Sequence, residues 1–125
     1  MYGNRITELI SDQFIGLRNV FVIDLQGNSI SRIEANAFNS RVNLTYVYLY
    51  NNLVTEIIDG AFQGAYNLVA LDLGYNRIQR IDGGAFTSNN LLRTLYLDGN
   101  SITTLTSNSF NGLSSLQYLD LNFNQ

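Results

Sequence analysis

Residues 68–78 read LVALDLGYNRI, and residues 92–102 read LRTLYLDGNSI. Leu, Leu, Leu, Asn and Ile hold the same places in both, 24 residues apart. The step runs through the chain. Asn4, Asn28, Asn52, Asn76, Asn100 and Asn124 keep it. So do Phe14, Phe38, Phe62, Phe86 and Phe110, and likewise Val20, Leu44, Leu68, Leu92 and Leu116. Three residue types holding one register without an insertion mark one unit copied end to end. The unit reads LxxLxLxxNxI, then xxI, then four residues to Phe. Units start at residues 20, 44, 68, 92 and 116, with partial units at both ends. No linker or low-complexity stretch interrupts them, so residues 1–125 read as one domain.

The unit dictates a coil. Within LxxLxLxxN the apolar positions alternate as a strand's period of two requires, placing Leu71 and Leu73 inward and Asp72 outward. Ile78, Ile81 and Phe86 supply the apolar groups of the returning arc. One coil alone leaves its apolar edges in water. Coils stacked about 4.8 Å apart pair their strands into a parallel sheet and close a shared core. Each fully buried Leu, Ile or Phe then contributes about 1.5–3 kcal/mol, offset by the entropy of ordering the chain. The repeated Asn falls where the chain turns out of the strand. Its amide both donates and accepts, which suits it to satisfy turn backbone in its own coil and the next. The Phe column reads as a stacked spine on the convex side. Ala37, Ala61, Ala85 and Ser109 precede four of its members, and Gln13 departs from that pattern.

This pattern resembles the leucine-rich repeat family. Its length and the Ala-Phe pairs at 37–38, 61–62 and 85–86 are most similar to the 24-residue class of Toll-like and Slit-like ectodomains. The resemblance covers essentially the whole chain. It implies a right-handed horseshoe solenoid of α/β type, mainly β, with a parallel sheet on the concave face and irregular or 3-10 arcs on the convex side. It also implies a binding role and an extracellular or cell-surface location. The Cys-rich caps of extracellular relatives have no counterpart here, because the chain contains no Cys.

Composition narrows the function. A net charge of −3 and a pI near 4.6 argue against non-specific nucleic-acid binding, which needs clustered Lys and Arg. No apolar run approaches the roughly 18 residues of a membrane span, and no basic-then-apolar leader follows Met1. Without Cys there are no disulfides or thiolate metal sites, and without His the commonest general base and metal ligand are missing. Ser and Thr are plentiful but have no imidazole to activate them. Asp24, Asp72 and Asp120 lie two coils apart, roughly 9–10 Å by strand spacing, on a sheet that offers no desolvating cleft for an acid catalyst. No loop motif supports a calcium site. The expectation is no enzyme activity, no cofactor and no metal. Asn43-Leu44-Thr45 is the one glycosylation sequon, a weak signal in so Asn-rich a chain.

Binding information belongs on the outward strand positions, numbered 2, 3, 5, 7 and 8 from each unit's start, which vary without harming the core. All eight Tyr except Tyr66 fall there if Tyr2 is counted, and position 5 alternates Asp24, Tyr48, Asp72, Tyr96, Asp120. Tyr joins large contact area to a polar tip and is enriched at interfaces. The candidate partner-binding residues are Tyr46, Tyr48, Tyr50, Asp72, Tyr75, Arg93, Tyr96, Asp98, Tyr118 and Asp120. A protein partner is expected, a glycan less so. The plain reading of the same residues is that Tyr and β-branched groups suit an exposed parallel sheet. Glu8, Arg32, Glu56 and Arg80 share one position in successive units, which sets opposite charges side by side. The alternative function is structural. The chain opens and stops mid-unit, at MYGN and LNFNQ, and uncapped coils stack into dimers or filaments through their ends.

Overall fold

The computed structural model describes residues 3–17, 19–39 and 43–125. Within them the chain winds as a solenoid of short parallel strands, and no helix forms. Nine strands occur among the described residues: β1 (Glu8–Leu9), β2 (Val22–Asp24), β3 (Arg32–Ile33), β4 (Tyr46–Tyr48), β5 (Glu56–Ile57), β6 (Ala70–Asp72), β7 (Arg80–Ile81), β8 (Thr94–Tyr96) and β9 (Tyr118–Asp120). The concave sheet runs β2-β4-β6-β8-β9, all parallel. Its register is one whole unit per strand, so Ile23, Val47, Leu71, Leu95 and Leu119 lie side by side. Identical units in identical phase have no other register that keeps every Leu inside.

The core is the stack of these inward columns. Leu25, Leu49, Leu73 and Leu97 are fully buried, as are Leu44, Leu68 and Leu92. Phe14, Phe38, Phe62 and Phe86 stack in series, with ring centroids 5.6, 5.4 and 5.9 Å apart. Phe110 is only partly buried against the same core. The convex arcs turn through isolated i to i+3 bonds, such as Ala61 N–H to Ile58 O and Ala65 N–H to Phe62 O, not through continuous 3-10 helix.

The recurring Asn side chains hold the turns together. Asn76 Nδ2 donates to Leu73 O of its own coil and to Leu49 O of the coil before it, both at 3.0 Å. Its Oδ1 accepts the Val54 N–H of that preceding coil, also at 3.0 Å. Asn52, Asn100 and Asn124 repeat this pattern. The amide therefore reaches back to the preceding coil. The expected direction, forward to the next coil, is corrected by the handedness of the winding, which leaves the open carbonyls and N–H groups on the earlier floor.

The convex flank differs from the concave one. There β1 pairs with β3 and β5 with β7, as two separate sheets. The Ser31 amide donates to Thr7 O and the Gln79 amide to Thr55 O, both at 2.9 Å. Among the described residues, the Thr55 and Thr103 amides at the same position make no such bond. Bonds such as Asn36 N–H to Gly60 O and Gly60 N–H to Gly84 O run through the arcs of successive coils, while the strand ladder on this side joins coils in pairs. The charge column follows suit. Arg80 pairs with Glu56 at 2.7 Å and with Asp82 at 3.1 Å. Arg32, expected beside Glu8 and Glu56, pairs instead with Glu34 of its own coil at 3.5 Å. With Arg32 and Glu56 engaged elsewhere, an open cleft of about 270 Å³ lies between them, lined also by Ser31, Ile33, Thr55 and Ile58.

Candidate functional site: the concave sheet

Strand alternation aims one residue in two away from the core, and the strands' outward positions build this face. Tyr46, Tyr50, Tyr75 and Tyr118 are exposed, while Tyr48, Tyr96, Asp72, Asp98 and Asp120 are half-buried. Arg93 is exposed at position 2 of its unit, on the edge where its strand begins. Tyr2 lies outside the described residues. The rings meet in pairs: Tyr46 with Tyr48 at 6.4 Å, Tyr50 with Tyr75 at 5.1 Å, and Tyr96 with Tyr118 at 5.5 Å. Phe21, Val22 and Tyr46 add an exposed apolar corner at the first coils.

The Asp residues of position 5 also serve the backbone. Asp24, Asp72 and Asp120 each accept the N–H of the residue two ahead, Gln26, Gly74 and Asn122, at 3.1, 3.0 and 2.9 Å. Each closes the end of its strand with a short side-chain turn. Burial pushes the Asp72 carboxyl above its ordinary range, the Gly74 N–H opposes this, and the neighbouring Asp98 adds to the rise. Tyr118 donates its hydroxyl to Asp120 at 3.3 Å. The Asp120 charge and that bond raise the Tyr118 phenol, since ionising it would place two negative charges together.

Two features escaped the sequence reading. Position 8 carries a backbone constraint. Gly3, Gly27, Asn51, Tyr75, Gly99 and Phe123 all take positive φ, from 51° to 67°. Each of the first five donates its N–H to the position-7 carbonyl of the following coil, as from Tyr75 to Asp98 O at 2.8 Å. Gly at three of these places was the available signal. The second feature is Asn89, fully buried in the arc where Ala65 and Leu113 stand in neighbouring coils. Its Nδ2 donates to Phe62 O and Ala65 O at 3.2 and 3.0 Å, and its Oδ1 has no partner.

A leucine-rich repeat family model matches residues 2–53, 42–102 and 67–125. Together they span nearly the whole sequence, and the chain belongs to that family. Among solved structures it is similar to a chain of the glycosylated Toll–Spätzle complex of Drosophila. The two share 31% identity at a TM-score of 0.88, over 98% of this chain and 18% of the other. The chain thus spans under a fifth of that neighbour's length. No curated protein matches it. Leucine-rich repeat proteins are in general interaction modules without catalytic activity.

Proposed function

We propose that this chain is a non-catalytic interaction module that binds a protein partner through the Tyr- and Asp-bearing concave sheet, at the cell surface or outside the cell. One observation carries the reading: a continuous five-stranded sheet presents three contacting aromatic pairs and four aspartates on the side the core does not use. Aromatic rings held by their neighbours lose little entropy when a partner covers them. The similar structure holds Toll in complex with Spätzle, which supports a protein partner for this architecture. Residues 1–125 act in this reading as one binding unit.

The test is a photo-crosslinking residue placed at Tyr48 in one variant and at exposed Gln63, on the arc, in another. An adduct with a partner is expected from position 48 alone. The triple variant Tyr46→Ala, Tyr48→Ala, Tyr50→Ala should abolish partner binding while keeping the circular dichroism of the parent. Retained binding by that variant rejects the concave site. Light scattering over a concentration series separates the structural alternative. Growth with concentration that stops when charges replace Leu121 and Phe123 would favour stacking through the ends.

A further inference from the structure

Gly74 is the only glycine at position 7 of a described unit, and it marks the place where the concave face converges. A Cβ built there would lie 2.8 Å from Asp98 Oδ1, 3.2 Å from Asp72 Oδ1 and 3.3 Å from Tyr50 Cδ2. Two carboxylate oxygens and a ring edge therefore crowd over one bare stretch of backbone. The oxygens are no more than 6.0 Å apart (2.8 plus 3.2). Tyr75 stands beside them, its ring 5.1 Å from that of Tyr50.

Asp72 Oδ1 accepts the Gly74 N–H, but among the described residues no cation balances the two carboxylates. Two half-buried carboxylates repel, and none of the ion pairs among the described residues involves either one. Burial and mutual repulsion already hold Asp72 above its ordinary pKa. Among the described residues, the only cation at a concave position, Arg93, sits at position 2, the far edge of the sheet from position 7. A planar cation laid against the Tyr50–Tyr75 wall would face both carboxylates at once. Guanidinium suits this better than ammonium, because its fork bonds two oxygens while its face stacks on an aromatic ring.

We propose that the Gly74 clasp, made by Asp72, Asp98, Tyr50 and Tyr75, receives an arginine side chain of the partner polypeptide. This rests on the concave-face reading above and adds the chemistry of the contact. Val22, in the exposed apolar corner, lies two coils back and four strand positions across. That is about 16 Å by strand spacing and rise, or about five residues of extended chain. The partner segment then carries an apolar side chain five residues from its arginine.

The test uses the capped hexapeptide Phe-Gly-Ser-Gly-Ser-Arg, titrated against the whole chain and followed by amide chemical shifts. Shifts centred on Gly74 and Gly99 are expected. Binding should weaken at least tenfold when the peptide's arginine becomes citrulline, its neutral isostere, and severalfold when it becomes lysine. On the protein, Asp98→Asn should weaken binding about tenfold. Gly74→Ala should do the same with no change of charge, since the new methyl group forces Asp98 and Tyr50 apart. Asp82→Asn, on the convex side, should leave binding intact. Equal binding of the citrulline peptide, undiminished binding by Gly74→Ala, shifts spread over Glu34, Glu56 and Asp82, or no shift at all would each overturn the clasp. Concave shifts that keep their full affinity with citrulline or lysine would remove the arginine and leave the concave face standing as a site. Loss of the partner adduct at Tyr48 would remove both.

Discussion

At the scale of the residue, buried Asn and left-handed backbone do work that the alternation of Leu does not. Removing the Asn76 amide leaves the Val54 N–H without its partner and takes one of two donors from Leu49 O and Leu73 O, which keep Asn52 and Asn100. A buried unsatisfied group costs about 1–3 kcal/mol, so Asn76→Ala should lower stability by about that much in urea denaturation. Asn124→Ala, at a half-buried site, should cost less. Tyr75 is held at φ 51°, a region that β-branched residues avoid. Tyr75→Val should therefore cost about 1–3 kcal/mol more than Tyr75→Asn, read from paired denaturation midpoints. Asp72 adds a pH dependence. Its folded pKa lies above the unfolded one, so the folded state holds the proton more tightly. Its contribution falls as pH rises from its ordinary value through the folded one. Asp72→Asn should accordingly raise the Tm at neutral pH and leave it nearly unchanged at pH 3, where both states are protonated.

At the scale of the element, the two flanks of the solenoid are held differently. The concave ladder is continuous across five strands, whereas the convex ladder joins β1 to β3 and β5 to β7 and stops between them. Hydrogen exchange should show it directly. The Ser31 and Gln79 amides, bonded to the preceding coil, should be protected, and the Thr55 and Thr103 amides should exchange faster by an order of magnitude or more. Equal protection at the four positions would contradict the pairwise ladder. The sequence carries a trace of it. Arg32 and Arg80 alternate with Glu8 and Glu56, and Asp24, Asp72 and Asp120 alternate with Tyr48 and Tyr96, a period of two units. Which acid each Arg would choose was not readable. Glu34 and Asp82 sit two residues along from the arginines, and only folded geometry ranks them against the neighbouring coil.

At the scale of the whole molecule, stability is a sum of floors and the contacts between them. Phe62 sits mid-stack, between Phe38 and Phe86, and is fully buried. Phe62→Ala should cost about 3–5 kcal/mol in urea denaturation and broaden the transition, because it separates the coils on either side. Phe110→Ala, at a half-buried ring, should cost clearly less. The concave face belongs to this scale as well. Its ring pairs join residues of one strand, as in Tyr46 with Tyr48, or of neighbouring coils, as in Tyr50 with Tyr75. Pairing across coils exists only once the units have stacked.

The sequence by itself determined the coil. A fixed 24-residue phase of Leu, Asn and Phe admits one parallel stacking that buries every apolar column, and neither side-chain detail nor an exact conformation is needed to see it. Tertiary structure alone decided what depends on neighbours one turn away. It fixed the backward reach of the Asn amides, the left-handed column through Tyr75 and Phe123, the burial of Asn89, and the convergence of Asp72, Asp98 and Tyr50 over Gly74. These arise from angles and distances between floors, and a linear repeat pattern records which residues recur without recording how far apart the winding brings them.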